Sequence, residues 1–317
     1  MLRIGMGLVF LIFWSGVFAQ SYPTKPIRFL VPFAPGGSTD IVARIIGQRL
    51  SEVWGYPVIV DNRAGAAGNI AAETTARAAP DGHTIFQINV ASVIAVSLYR
   101  NLGYDPVRDF APITQIASVA LFQVVHPALK ARTVQELVAL AKSQPGKLNY
   151  ASSGSGGPTH LAMELFKTMT GTEIVHVPYN GGGPALNALL ADQVQIFMVA
   201  GAAIPHIKAG RLRALGVSSL TRNRLLPEIP TIAEAGVPGY ESSPWYGIVA
   251  PARTPRAIVV KLNDEITRMF RQPDVMERLN AQGMDLVGST PEQFSAFMKN
   301  EVVKWARIVK VSGARVD

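Results

Sequence analysis

Ile27-Arg28-Phe29-Leu30-Val31 runs straight into Pro32-Phe33-Ala34-Pro35-Gly36-Gly37-Ser38-Thr39, and that junction decides the fold class. Apart from Arg28 the first five residues are large and apolar, as a buried strand requires. The proline and glycine cluster stops the strand. From Thr39 onward Ile41, Val42, Ile45, Ile46 and Leu50 recur at helical spacing, so the unit reads strand, turn, helix. The same grammar returns along the chain. Pro57 to Val60 is a second strand, and Asp61 to Gly68 leads into an alanine-rich helix that ends near Ala79-Pro80-Asp81-Gly82. Leu121 to Val125 reads as a strand, and Thr133 caps a helix that Gln144-Pro145-Gly146 stops. Leu148 to Ala151 begins a further unit, whose loop meets Pro158 at a first helical position where its missing N–H costs nothing. Ile174 to Val177 is the next strand, with Pro184 opening a helix after it. Tyr246 to Ala250 is the last, followed by helices over Arg256 to Phe270 and Pro291 to Ser312. Such alternation implies an α/β protein with mainly parallel sheets.

The chain has 317 residues. Met1 to Ala19 combines Arg3, the apolar run Leu8 to Trp14 and small residues at Val17 and Ala19, which reads as a secretory signal peptide. Its apolar core is shorter than the roughly 20 residues that span a bilayer. What remains exceeds the usual span of one hydrophobic core. Two lobes are therefore expected, residues 20–121 with 245–317 forming the first and 122–244 the second. The chain would cross between them near Val119 to Gln123 and near Gly239 to Tyr246.

There is no cysteine, so stability in an oxidising compartment must come from burial, and thiolate chemistry is excluded. The net charge is +8. Its Lys and Arg residues are scattered singly, without the basic and aromatic interleaving of a nucleic-acid surface, so no nucleic acid is expected. The excess would still draw anionic solutes toward the protein.

Four glycine-rich turns stand at strand C-terminal ends: Gly36-Gly37-Ser38-Thr39, Gly65-Ala66-Ala67-Gly68, Gly154 to Pro158 and Gly181 to Pro184. A helix N-terminus offers unpaired N–H groups and about half a positive charge, and glycine lets an anion come close. One such turn is usually only a tight connection. Four, two in each expected lobe, point to a crevice at the strand ends that grips an anion from both sides.

The runs VPFAPGGSTDIVAR (Val31 to Arg44), NRAGAAGNIAAE (Asn62 to Glu73) and AAPDGHT (Ala78 to Thr84) resemble the tripartite tricarboxylate receptor family, often called Bug receptors. So do YDPVRDFAPI, QPGKLNYASSG, HVPYNGGGPAL, HIKAGRLRALGV, LPEIPTIAEAGVPGYE and WYGIVAP, in order and over essentially everything after the leader. The resemblance implies a type II periplasmic-binding-protein fold that closes like a flytrap on a small organic carboxylate. It also implies a periplasmic location and delivery to membrane permease subunits of the tripartite tricarboxylate type, with the receptor acting as a monomer. Carried over by position, the ligand would meet Phe33, Ala34, Pro35, Gly36, Gly37, Ser38 and Thr39, then Gly65, Ala66 and Gly68. On the other side it would meet Ser152, Ser153, Gly154, Thr159 and His160, with Tyr179, Gly181, Gly182, Gly183 and Pro184. Many relatives carry an acidic residue in the strand after the QVQ segment. Here that strand reads Ile196-Phe197-Met198-Val199, which favours a simple or aromatic carboxylate over an amino acid.

No cofactor, metal or catalytic residue is expected. The five histidines have no metal-binding spacing, and neither GxSxG nor GxGxxG is present. A hydrolase would have to use Ser153 or Ser155 with His160, and a ligand sensor for a two-component system would use the same fold. Export predicts that the mature chain begins at Gln20, and N-terminal sequencing of the secreted form is the check.

Overall fold

The computed structural model describes residues 22–36, 38–281 and 283–312, so the expected leader over 1–19 lies outside them. The first part of the chain lays down β1 (Ile27–Val31), α1 (Ser38–Trp54), β2 (Val58–Asn62), α2 (Asn69–Ala76), β3 (Thr84–Asn89), α3 (Val90–Leu98) and β4 (Phe110–Val119). There follow β5 (Phe122–Val125), α4 (Val134–Ser143), β6 (Asn149–Ser152), α5 (Pro158–Thr170), β7 (Val175–Pro178), α6 (Gly182–Leu190), β8 (Ile196–Val199), α7 (Ile204–Lys208) and β9 (Arg213–Val217). The remainder is β10 (Trp245–Pro251), α8 (Arg256–Met269), α9 (Pro273–Asn280), β11 (Met284–Leu286) and α10 (Pro291–Ser312).

The strands form two sheets, ordered β11-β4-β10-β3-β1-β2 and β7-β6-β8-β5-β9. Within the βα units the pairing is parallel, β1 with β2 and β3, and β6 with β7 and β8. Elsewhere it is antiparallel, since β10 pairs with both β3 and β4, β11 with β4, and β5 with both β8 and β9. The sheets are thus mixed rather than mainly parallel. A strand that enters its sheet from the other sheet arrives at the opposite end and must run the other way.

Helices cover both faces of each sheet, so strand side chains alternate between two apolar layers and both must be hydrophobic. Phe29, Val31, Ile85 and Ile248 pack with α1 and α8, whereas Leu30, Phe86, Ile88 and Val249 pack with α2, α3 and α10. In the second sheet Val125, Tyr150 and Met198 face α4 and α5, while Phe122, Val124 and Phe197 face α6. Thr133 caps α4 by accepting from the Glu136 N–H at 3.1 Å. Pro158 is the first residue of α5, but α6 begins at Gly182, two residues before Pro184. Pro184 sits third in that helix, where no N–H is needed for an intrahelical bond.

The second crossing is anchored by Glu301 of α10, which is almost wholly buried. It accepts from the indole N–H groups of Trp245 and Trp305, each at 2.8 Å, and meets Lys304 at 3.2 Å. A lone carboxylate there would be costly, and these three donors satisfy it. Gly247 of β10 lies directly beneath the Phe294 ring, and a Cβ at that position would overlap the ring. Gly247→Ala should therefore destabilise the protein by about 1–3 kcal/mol through overpacking, read as a lower urea midpoint at unchanged slope.

Candidate functional site

The crossings between the sheets form the floor of a cavity of about 590 Å³. Val119 and Leu121 contribute from the first crossing, Pro244, Trp245 and Tyr246 from the second. Phe33, Gly36 and Ile41 of the β1–α1 region line one wall, with Asn89 and Val90 at the start of α3. Opposite them stand Ser153, Pro158 and Thr159, then Gly182 and Gly183, and Phe197, Val199, Ala200 and Ala202 at the end of β8. Among the described residues no Lys, Arg, His, Asp or Glu belongs to this wall.

On the first wall the turn is clamped by Asp40, third residue of α1. Its Oδ2 accepts from the Gly36 N–H and from Arg44 Nε, each at 2.9 Å, and its Oδ1 accepts from Asn62 Nδ2 at 3.1 Å. The same Asn62 amide donates to the Phe33 carbonyl at 2.9 Å. Burial opposes ionisation of Asp40, but the hydrogen bonds from Arg44, Gly36 and Asn62 outweigh it and hold the carboxyl below its ordinary value. The Gly36 N–H is consequently spent within the protein. Behind it Gly68 presses so closely on Pro32 that a Cβ would fall 2.7 Å from the proline Cβ, which stacks the Gly65–Gly68 turn against this one.

The opposite wall is one knitted unit. Tyr179 N–H donates to the Ser152 carbonyl at 3.0 Å and Gly181 N–H to the Ser153 carbonyl at 3.2 Å, tying the turns before α5 and α6 together. Thr159 Oγ1 accepts from the Ser153 N–H and meets Ser153 Oγ, both at 2.9 Å. Gly182 and Gly183, as the first two residues of α6, present N–H groups that helix geometry leaves without intrahelical acceptors. Behind the loop Tyr150, His176 and His160 stack, with His176 4.9 Å from Tyr150 and 4.0 Å from His160 between ring centroids. His160 Nδ1 accepts from the Gly156 N–H at 3.0 Å, and His176 Nε2 lies 2.6 Å from Ser152 Oγ, which itself accepts from the Gly154 N–H. Burial, and then the neighbouring His160, pull His176 down to about 4. Burial likewise lowers His160. Both imidazoles are neutral at pH 7 and serve as struts for the loop.

Of the residues singled out from sequence, Phe33, Gly36, Ser153, Thr159, Gly182 and Gly183 reach the cavity wall. Ala34 and Pro35 are exposed on the same turn outside the wall, and Thr39 is buried beside Tyr246. Gly65, Ala66 and Gly68 support the first turn, and Ser152, Gly154, His160, Tyr179, Gly181 and Pro184 shape the second unit without lining the cavity. Gly37 and the side chain of Ser38 lie outside the described residues. Among the described residues neither Ser153 nor Ser155 is hydrogen-bonded to His160: Ser153 Oγ meets Thr159 Oγ1, His160 Nδ1 accepts from Gly156, and the serine–histidine contact that does form is Ser152 with His176. Sequence reading did not place Asn89, Val119, Leu121 or Ala200 to Ala202 at the cavity, although it did draw on the Ile196–Val199 strand for ligand choice. Asn89 carried one usable signal, an N-cap residue ending a strand, and its Oδ1 does accept from the Ala91 N–H at 2.8 Å.

Residues 42–314 match the family model described as "Tripartite tricarboxylate transporter family receptor". The chain is 38% identical over 303 residues to Protein BugT of Bordetella pertussis, covering 95% of this chain and 93% of that one. Among solved structures it is similar to "R. palustris Rpa4515 with adipate", at 38% identity and TM-score 0.83 over 93% of this chain and all of the other. It is also similar to MatC from Rhodopseudomonas palustris with bound malate, at 31% identity and TM-score 0.80 over 91% and 100% of the two chains.

Protonating the struts should loosen the second wall. A histidine whose pKa is depressed on folding contributes stability that is complete above its unfolded value near 6.5 and is lost as pH falls toward the folded value, here about 4 for His176. Thermal unfolding is expected to weaken across that window, and a His176→Gln variant should show a shallower slope over the same interval.

Proposed function

The chain belongs to the tripartite tricarboxylate transporter receptor family, and on that premise we propose that it captures a small organic carboxylate by closing two lobes, residues 20–121 with 245–317 against residues 122–244. The observation that carries this is the cavity wall, where helix N-termini and glycine turns from both sheets converge while no cationic side chain takes part. A carboxylate held there would be met by neutral N–H and O–H donors, among them Gly182, Gly183, Ser153, Thr159 and Asn89. Phe33 and Gly36 would approach from the opposite side, and Ala34, Pro35 and Thr39 would shape that approach. The Gly65–Gly68 turn, Ser152, Gly154, His160, Tyr179, Gly181 and Pro184 would act through the loops they brace. Periplasmic capture would end in transfer to membrane permease subunits, the role for which receptors of this family are named. In the serine–histidine contact among the struts, Ser152 Oγ to His176 Nε2 at 2.6 Å, the hydroxyl also accepts the Gly154 N–H and lies off the cavity lining, so it braces the loop rather than facing the ligand.

Gly182→Asp is a clean test, because a Cβ there meets nothing within 4 Å and the backbone is ordinary helix. The variant should fold as the parent does but bind adipate, taken as the first probe because the related Rpa4515 carries it, at least about tenfold more weakly, since an added anion repels a carboxylate and blocks the α6 donors. Titration calorimetry reads the affinity. Small-angle scattering on the parent should show a smaller radius of gyration at saturation, and unchanged affinity in the folded variant would remove the α6 turn from the site.

A further inference from the structure

Asn89, at the end of β3, borders the cavity while only 4% exposed, and half of its side chain is unspent. Its Oδ1 accepts from the Ala91 N–H at 2.8 Å and caps the nine-residue α3, but its Nδ2 meets no acceptor among the described residues. A buried amide N–H without a partner is costly, so such a group in a folded protein calls for one. Its surroundings show where an acceptor fits. Val90, the first residue of α3, also lines the cavity, and its N–H has no intrahelical acceptor. Tyr246 stands directly across from Asn89 in the β3–β10 pairing, which sets both side chains on one face of the sheet, and its phenol can donate to the same acceptor. The Gly36 N–H of this wall is already held by Asp40, whereas Asn89 still has Nδ2 to offer.

The turns before α5 and α6 present their own donors from the opposite wall, so a ligand with a single carboxylate answers one wall and leaves Asn89 unmatched. A carboxylate at each end answers both. The second end would lie at a helix N-terminus among neutral donors, with no acidic side chain among the described lining residues to repel it. We propose that the head of α3 is a second carboxylate subsite, in which Asn89 Nδ2 donates to the ligand, and that the receptor therefore prefers dicarboxylates to monocarboxylates of the same skeleton. Asn89 is the specificity-determining residue, because its amide gives the first wall a side-chain donor that capping does not consume. The inference rests on the receptor reading above and narrows its ligand class.

Asn89→Asp separates this role from capping. Aspartate caps a helix as well as asparagine and keeps an oxygen for the Ala91 N–H, so a purely structural Asn89 predicts unchanged binding. At the proposed contact, however, it replaces a donor by an anion. Titration calorimetry on the full-length mature protein, freed of any carried ligand by unfolding and refolding, would compare succinate, glutarate, adipate and terephthalate with butanoate, pentanoate, hexanoate and benzoate. The parent protein is expected to bind its best diacid at least about tenfold more tightly than the matched monoacid, the worth of one hydrogen bond to a charged group. In Asn89→Asp that diacid should weaken by about tenfold or more, while the monoacid moves by less than about threefold. Asn89→Ser also caps the helix but lacks the amide; it should lower the diacid preference too, and it carries the test if the aspartate variant does not fold. Equal binding of diacid and monoacid by the parent, or an unchanged preference in a folded variant, overturns the proposal and leaves the receptor reading standing. If none of these acids binds, the receptor reading falls and this inference falls with it.

Discussion

Val119 donates its N–H to the carbonyl of Pro244 at 2.8 Å, and this bond joins the two segments by which the chain passes from one sheet to the other. The neighbouring residues reinforce it. Leu121 N–H donates to Ser218 Oγ at 2.9 Å, and Ser218 N–H donates to the Leu121 carbonyl at 2.8 Å. Ser242 N–H donates in turn to the Ser218 carbonyl at 3.0 Å. With both passages laced side by side, the facing sheet ends are held a cavity's width apart, and β10 can enter the middle of the first sheet. Every wall residue takes its place from that constraint. A paired crossing of short backbone segments is also a natural axis for hinge motion, because few dihedrals need change.

Neutral donors dominate the cavity, and the charged groups nearby are kept off it by explicit hydrogen bonding. Asp40 and Arg44 neutralise one another beneath the first turn, while Glu301 is answered by two indoles and Lys304 beneath the floor. Glu164 accepts from Tyr150 at 2.5 Å and from Lys167 at 2.6 Å behind the second wall. The arrangement gives backbone dipoles and hydroxyls to an incoming anion without a fixed cation whose desolvation would have to be offset. It also explains the two neutral histidines. A protonated imidazole could not accept the Gly156 N–H, and the loop would lose its strut.

The βα units were legible because each depends on residues adjacent in sequence. The apolar run at Ile27 to Val31, the breaker at Pro32 to Gly37 and the spacing from Ile41 to Leu50 are local facts, and the observed β1 and α1 follow them. The Thr133 cap and Pro158 at the head of α5 are local in the same sense. The glycine turns were legible too, because Gly154 and Gly181 adopt φ of 141° and 111°, which other residues avoid. The antiparallel entry of β10, by contrast, depends on which way a distant segment must travel to complete another sheet.

Sequence by itself therefore determined that this is an α/β chain of the tripartite tricarboxylate receptor family with glycine-rich turns at its strand ends. Tertiary structure alone decided which of those turns face the cavity. His160 stands in the first turn of α5, beside the loop, yet spends its Nδ1 on Gly156 rather than on the cavity wall. Val119, Leu121 and Phe197 look like ordinary core positions, stay buried, and nevertheless back the cavity floor, because strand ends from separate parts of the chain converge there. Periodicity reports which side of an element is apolar. Only the packing of one sheet end against another decides whether that apolar side closes on protein or is left open for a ligand.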